Sequence, residues 1–257
     1  MPGAYKTFDP REIVLPPNCA DEPQWRNDLA GYYSHIEALD RDFARLLVAL
    51  EKSGQADDTV VVFTSDHGDM LGSQGKQKKQ KPWDESAHVP FVLVYPRRVV
   101  PGQRTDIPIN TPDIMPTLLG LAGVAKPRGL EGYDLSRVAL GATQKGPAAA
   151  LIANYCPFGE SIGEWRAVRT HRYTYACTRT GPWLLYDNAN DPYQMTNLVQ
   201  APSHRDVANE LDRMLRRWLR RTDDRFLSRE EYWKQYGFQV NKSGAVPYET
   251  KVGVHDP

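Results

Sequence analysis

The sequence predicts an α/β fold in two parts, and three patterns of apolar residues support this prediction. Residues 59–64 (TVVVFT) form an uncharged, β-branched run, typical of a strand buried on both faces of a parallel sheet. Residues 25–53 repeat apolar side chains every three or four positions, as in an amphipathic helix that ends at Gly54. Short apolar runs between turn residues follow position 149 and predict an antiparallel sheet. We therefore expect a mostly parallel sheet flanked by helices, plus a small C-terminal antiparallel sheet with one helix.

Two further elements complete the first part, for which we expect a domain over residues 1–140. Residues 89–95 (VPFVLVY) predict a second buried strand. A helix is expected from Thr111, with this threonine as N-cap and Pro112 at the first helical position, through Leu121.

The second domain is expected over residues 141–257. Its strand candidates are residues 149–155, 165–169, 173–177 and 183–186. A helix over residues 203–221 carries an apolar face that can cover one side of this sheet. Arg166 and Arg169 lie on the sheet, where they either face a substrate cleft or, as we favour, form salt bridges to the first domain.

Composition bounds the class of protein. The chain has 257 residues, of which 40% are hydrophobic and 25% charged, enough for one sizeable core and a small satellite domain. Its 32 basic and 32 acidic residues balance, so net charge gives no case for a nucleic acid or an anionic membrane as partner. No apolar run has the length of a membrane span, and no signal peptide is visible, which leaves cytoplasm and periplasm both open. Three cysteines without metal-ligand spacing are expected to be buried free thiols rather than a disulfide framework.

Candidate functional residues follow the run at 59–64. Asp66 and His67 come directly after it, and Gly68 lets the chain turn away. Because open α/β sheets bind ligands at the carboxyl ends of their strands, this pair can offer an oxygen and a nitrogen to one divalent cation. The alternative is that the same residues only form a turn or cap a helix.

The residues around this pair resemble the second signature of the sulfatase family, within the alkaline phosphatase superfamily. The resemblance rests on FTSDHGDMLGSQG (63–75), on Lys79 and on PWDESAHVP (82–90). Further matching segments follow in the family's order, at residues 32–66, 110–123, 132–135, 165–175 and 185–198. The likeness implies part of an alkaline phosphatase-like sandwich, followed by the small sheet.

The resemblance also implies a reaction, which is the hydrolysis of sulfuric esters as in arylsulfatases. Asp66 and His67 would supply part of a site for a divalent cation, with Ca²⁺ expected first and Mg²⁺ or Mn²⁺ as alternatives. Lys79 would contact the sulfate group of the substrate, where a fixed cation stabilises developing negative charge. Lys78 and Lys81 are alternatives to Lys79 in the same basic loop.

Two further positions in this segment are expected to have structural rather than catalytic roles. Gln74 stands where the family frequently has a histidine, and an amide can only hydrogen-bond. Glu85 is expected to hold the loop through backbone amides.

The family's nucleophile is a formylglycine, formed from the first residue of a Cys-x-Pro-x-Arg or Ser-x-Pro-x-Arg motif, and neither motif occurs here. The chain therefore resembles a C-terminal portion, which we expect to be inactive alone and to need a separate N-terminal portion as partner. A phosphonate or phosphodiester hydrolase of the same superfamily would share these residues. The third hypothesis is that the chain is a metal-binding remnant or a non-catalytic partner subunit.

Overall fold

The computed structural model describes residues 7–157, 162–242 and 246–247. Contacts divide the chain into two compact units, each of which includes a short segment from the other's part of the sequence. Unit 1 comprises Met1–Lys79, Trp83–Ala150 and Pro192–Met195. Unit 2 comprises Gln80–Pro82, Leu151–Asp191 and Thr196–Pro257.

Unit 1 contains four α-helices and two strands among the described residues. In chain order they are α1 (Pro23–Lys52), β1 (Val61–Thr64), α2 (Asp84–Ala87), β2 (Phe91–Val94), α3 (Thr111–Ala122) and α4 (Ser136–Ala139). Single 3₁₀ turns lie at Pro10–Glu12 and Ala56–Asp58. The predicted long helix and both predicted strands are thus present, each strand shorter than its apolar run.

The pairing of the two strands differs from the sequence-based expectation. β1 and β2 pair antiparallel, with Phe63 opposite Val92 and Val61 opposite Val94. None of the β1 side chains is fully buried within the described residues, and Thr64 is exposed. The prediction of a parallel, doubly buried strand was wrong for this pair, because apolar composition reports the capacity for burial and not the direction of the neighbour.

The helix ends follow local chemistry, with one correction. The N-cap of α3 is Asn110, whose side chain accepts from the Thr111 amide, and not Thr111 itself. Asp113 accepts from the Asn110 amide in return, so the two residues form a capping box. The chain leaves α3 through Gly123 at φ 73°, a left-handed conformation that glycine adopts without strain.

The core of unit 1 gathers around the first turns of α1. Ile13, Leu29 and Ala30 form a buried cluster against which Phe8 and Leu71 pack. Only the N-terminal third of α1 contributes buried side chains. The rest of the helix leaves apolar side chains exposed.

Unit 2 is a four-stranded sheet in the order β3-β4-β5-β6. The strands are β3 (Ala150–Asn154), β4 (Trp165–Arg169), β5 (Tyr173–Thr178) and β6 (Gly181–Asp187). β5 pairs antiparallel with both β4 and β6, which confirms the predicted antiparallel sheet. Its middle is closely packed, since Trp165, Tyr175 and Leu185 are almost completely buried.

Within the described residues of unit 2 lie two α-helices, α5 (Arg205–Arg221) and α6 (Arg229–Tyr236). α5 contacts β4 and β5 and buries Leu211, Leu215 and Leu219, as the predicted apolar face requires. None of the described helices is both long and apolar enough to cross a membrane.

A buried ion pair ties the segment before α6 to the sheet. Arg166 is fully buried, and its Nε atom lies 2.5 Å from Oδ2 of Asp224. The Tyr232 hydroxyl donates to Asp224 at 2.7 Å, and the Arg166 guanidinium stacks 3.9 Å from the Tyr155 ring centroid. The salt bridge expected for Arg166 exists, but its partner belongs to unit 2 and not to the first domain.

Candidate metal and sulfate site

The end of β1 brings Asp66 and His67 into direct contact. Nδ1 of His67 lies 2.8 Å from the Gly68 carbonyl oxygen, which can only accept, so Nδ1 carries the proton. In the neutral ring Nε2 then holds a lone pair, and this atom lies 3.3 Å from Oδ2 of Asp66. The arrangement presents one nitrogen and one oxygen donor side by side; a doubly protonated ring would form an ion pair instead.

The surroundings of Asp66 favour its charged form. Partial desolvation raises the pKa of this carboxyl, but the positive charge of the His67 ring in its protonated form, the His67 amide and the Ser65 hydroxyl lower the pKa below its ordinary value. The His67 amide donates to Oδ1 at 3.0 Å, which leaves Oδ2 directed at the imidazole. The Asp66 side chain is 82% exposed and is therefore open to a ligand.

Gly68 is required by close packing of the backbone. Its amide donates to the Ser86 carbonyl at 2.9 Å. A Cβ atom at this position would lie 1.9 Å from the Glu85 carbonyl oxygen, far inside van der Waals contact. The chain after His67 can therefore approach α2 only with glycine here.

Asp69 closes the basic loop, residues 69–79, through two hydrogen bonds to backbone amides. Oδ1 of Asp69 accepts from the amides of Leu71 and Lys78, at 3.0 and 2.9 Å. The Met70 amide donates back to the Lys78 carbonyl at 3.0 Å, so the loop's two ends are joined. Asp69 thus shapes the segment that leads to Lys79.

Lys79 is exposed at the end of this loop. It is not among the hydrogen-bond or ion-pair partners that the structure gives Asp66 and His67. Of the two alternatives, Lys78 is exposed and Lys81 is buried in unit 2. The structure brings the first two predicted site residues into contact with each other.

A hydrogen-bonded network behind the loop was not foreseen from the sequence. Gln194 is 1% exposed; its Oε1 accepts from the Asp84 amide at 2.9 Å and its Nε2 donates to the Asp84 carboxylate at 3.3 Å. Gln74 donates to the carbonyls of Tyr193 and Gln194, at 3.1 and 3.0 Å. The glutamine that replaces the family's histidine therefore anchors the loop to a segment 120 residues away.

Asn18 and Glu85 form a second contact under the loop. Nδ2 of Asn18 donates to Glu85 Oε1 at 2.6 Å and to the Tyr193 carbonyl at 3.0 Å. The expectation that Glu85 holds backbone amides was wrong, because its partner is a side-chain amide. Within the described part of the chain, the other oxygens, Asn18 Oδ1 and Glu85 Oε2, are buried without a hydrogen-bond partner.

The cysteines are free, as expected, but the expected burial holds for Cys177 and is wrong for Cys156, which is exposed. None of the three is set up as a nucleophile. Burial raises the pKa of the Cys177 thiol to about 11. Desolvation, helped by acidic neighbours, also raises the pKa values of Cys19 and Cys156. A thiolate is disfavoured at all three positions, so the described thiols do not substitute for the absent nucleophile motif.

No group of three or more His, Cys, Asp or Glu side chains within residues 7–157 and 162–242 could hold a metal ion. Asp66 and His67 therefore amount to two donors, and further ligands would have to come from elsewhere. The described site is a pair of adjacent donors, one nitrogen and one oxygen, at the end of β1.

Comparison with known proteins identifies the class. A family model described as Sulfatase matches residues 1–124, and one described as N-sulphoglucosamine sulphohydrolase, C-terminal, matches residues 72–221. The chain belongs to the sulfatase family of the alkaline phosphatase superfamily, which confirms the resemblance read from the sequence.

Individual relatives agree with this assignment. An ulvan-active sulfatase of Formosa agariphila is 40% identical over 96% of this chain and 50% of its own length. A protein solved with its substrate D-glucosamine-2-N,6-O-disulfate superposes with a TM-score of 0.72 and 27% identity, over 79% of this chain and 42% of that one. A phosphonate monoester hydrolase of Agrobacterium radiobacter superposes with a TM-score of 0.66 and 27% identity, over 75% of this chain and 41% of that one. These structures confirm the predicted fold class, and the chain spans about half the length of the curated relatives it matches.

Proposed function

We propose that this chain is the C-terminal portion of a sulfuric ester hydrolase, in which it supplies two ligands of a divalent cation and one contact to the sulfate group. The observation that carries the proposal is the placement of His67 Nε2 and Asp66 Oδ2 3.3 Å apart at the end of β1. The membership of the sulfatase family supports the class of reaction.

Ca²⁺ stays the first expectation, because Asp66 would supply the carboxylate oxygen that this ion prefers, and Mg²⁺ is an alternative for the same reason. Mn²⁺ remains a candidate because it accepts imidazole as well as carboxylate. When bound, the cation polarises the ester oxygens and favours an ionised nucleophile.

The chain's own residues would orient the sulfate group. Asp69 fixes the two ends of the basic loop, and Gln74 and Gln194 anchor the loop from behind. Lys79 at the end of that loop would then donate to a sulfate oxygen and stabilise the negative charge that grows as the ester bond breaks.

Turnover would require the formylglycine of a separate N-terminal portion. With neither nucleophile motif in the sequence, we propose that the isolated chain has no appreciable activity. Its substrate is a sulfate ester, and the N-terminal portion is its partner.

The test is a chimera in which the first half of the Formosa agariphila sulfatase is joined covalently to Met1 of this chain. We expect calcium-dependent hydrolysis of an aryl sulfate by the chimera and none by the chain alone. Asp66→Asn, His67→Ala and Lys79→Ala should each lower kcat/KM by at least 100-fold. Asp106→Asn and Lys76→Ala make the same changes at exposed positions and should leave kcat/KM unchanged. A chimera whose activity survives Asp66→Asn and His67→Ala would overturn the proposal.

A second candidate function is the hydrolysis of phosphonate or phosphate esters. The similarity to the Agrobacterium radiobacter enzyme favours it. Paired assays of the chimera with aryl sulfate and aryl phosphonate esters decide between them, because the reaction this family member performs should have the larger kcat/KM. If the chimera binds calcium through Asp66 and turns over neither ester, the chain is a non-catalytic, metal-binding remnant.

A further inference from the structure

The long helix of unit 1 carries an apolar surface that the described residues do not cover. Trp25 and Leu29 begin an apolar face in the first turns of α1, where both are buried. The face continues along the helix at three- and four-residue spacing, which keeps its members on one side. These members, the α1 stripe, are 42 to 67% exposed: Tyr32, Ile36, Leu39, Leu46 and Leu47.

The α1 stripe is continuous with one face of the β1-β2 sheet. Phe43 lies on the same side of the helix, and its ring centroid is 5.3 Å from that of Phe63 in β1. Val92 pairs directly with Phe63, so both side chains point to the helix side of the sheet. Val92 and Val94 are 54% and 48% exposed on that side.

The composition of this surface is that of a buried core and not that of a solvent-exposed helix face. The α1 stripe contains no charged side chain over about 22 Å of helix. Contiguous exposed apolar surfaces are uncommon on monomeric proteins, and large ones mark binding sites. Among the described residues, β1 and β2 also pair only with each other, so each has an outer edge that can accept another strand.

We infer that the α1 stripe, with Val92 and Val94, is the docking surface for the N-terminal portion of the same enzyme. This inference rests on the proposed function, which requires such a portion. The length of the relatives and the shape of the surface both favour this occupant. The chain matches the Formosa agariphila sulfatase over 96% of itself but only 50% of that protein, so a portion of similar length accompanies its counterpart there. A strand-bearing, apolar partner would cover the stripe and extend the sheet at once.

The test mixes this full chain with the first half of the Formosa agariphila sulfatase, produced as a separate polypeptide, and measures mass by light scattering. We expect a one-to-one complex. The double variant Ile36→Asp with Leu39→Asp should weaken it at least 100-fold, because two charges would be buried without partners. The control Ala44→Asp with Ala49→Asp adds the same charges to the same helix outside the stripe and should change the affinity less than threefold. Circular dichroism checks that both variants fold.

Three outcomes would overturn the inference. One is the absence of any complex. Another is a homodimer of this chain, lost in the Ile36→Asp with Leu39→Asp variant, with no mixed complex, which would make a second copy the occupant. The third is stripe-dependent binding to neutral lipid vesicles in place of the mixed complex. A mixed complex that does not hydrolyse the ester would support the docking surface and count against the proposed function alone. The covalent chimera tests the hydrolysis without relying on docking.

Discussion

The most direct test of how the basic loop is held is the substitution Gln194→Leu. Leucine keeps much of the buried volume but removes both hydrogen bonds to Asp84, at 2.9 and 3.3 Å. A net loss of about 1 kcal/mol for each bond gives about 2 kcal/mol, and a polar group left unsatisfied would add to it. Because about 1.4 kcal/mol is tenfold in an equilibrium constant, the loop should open roughly 30 times more often.

Native-state hydrogen exchange reads this change directly. The amides of Met70, Gly72 and Gly68 are protected by bonds across the loop or to α2, so they should exchange about 30-fold faster in the variant. Gln77→Leu makes the same chemical change at an exposed position of the same loop and should leave exchange unchanged. Equal exchange in the Gln194→Leu variant and the parent chain would refute the claim that this residue holds the loop. A uniform increase across unit 1 would mean global rather than local support.

Three further predictions concern stability, each measured by urea unfolding. Arg166→Met should cost about 3 to 5 kcal/mol because it leaves a buried carboxylate unpaired, whereas Arg179→Met breaks an exposed pair and should cost less than about 1 kcal/mol; equal losses would contradict the argument. Hydrogen bonds from Arg172 lower the pKa of Asp187 to about 2. Because the folded pKa lies below the unfolded one, this pair stabilises the protein above about pH 4, and about 1 to 2 kcal/mol should be lost between about pH 4 and pH 2. Asp187→Asn should reduce the loss over this pH range by about 1 to 2 kcal/mol, and a loss as large as that of the parent chain would count against the pair. Glu85→Gln should be neutral within about 0.5 kcal/mol because glutamine keeps an oxygen that accepts from Asn18 Nδ2, while Glu85→Leu removes that hydrogen bond and should cost about 2 kcal/mol; the reverse order would refute the described hydrogen bond.

Local patterns were sufficient for much of the fold. The 3.6-residue period marked α1 and α5, and alternating short apolar runs marked the sheet of unit 2, because each pattern is set by the geometry of one element. Asp66 and His67 could be placed together because they are adjacent and follow a strand. Their family role stays a prediction, as does that of Lys79.

Long-range features could not be read in the same way. The antiparallel direction of β2 depends on how the chain returns after residue 65, which apolar composition does not encode. The pairing of Gln194 with Asp84 joins residues 110 positions apart, and no periodicity connects them. The N-cap of α3 was displaced by one residue because Asn110 and Thr111 are both good caps, and the reciprocal bond with Asp113 decides between them.

The chain returns to unit 1 at Pro192–Met195, and this affects both translation and proteolysis. This segment belongs to unit 1, and Gln80–Pro82 belongs to unit 2, so no single cleavage of the chain yields two complete pieces. During translation the loop that ends at Lys79 emerges long before the residues that anchor it. It must therefore wait for more than a hundred further residues to be made before it can acquire its native protection.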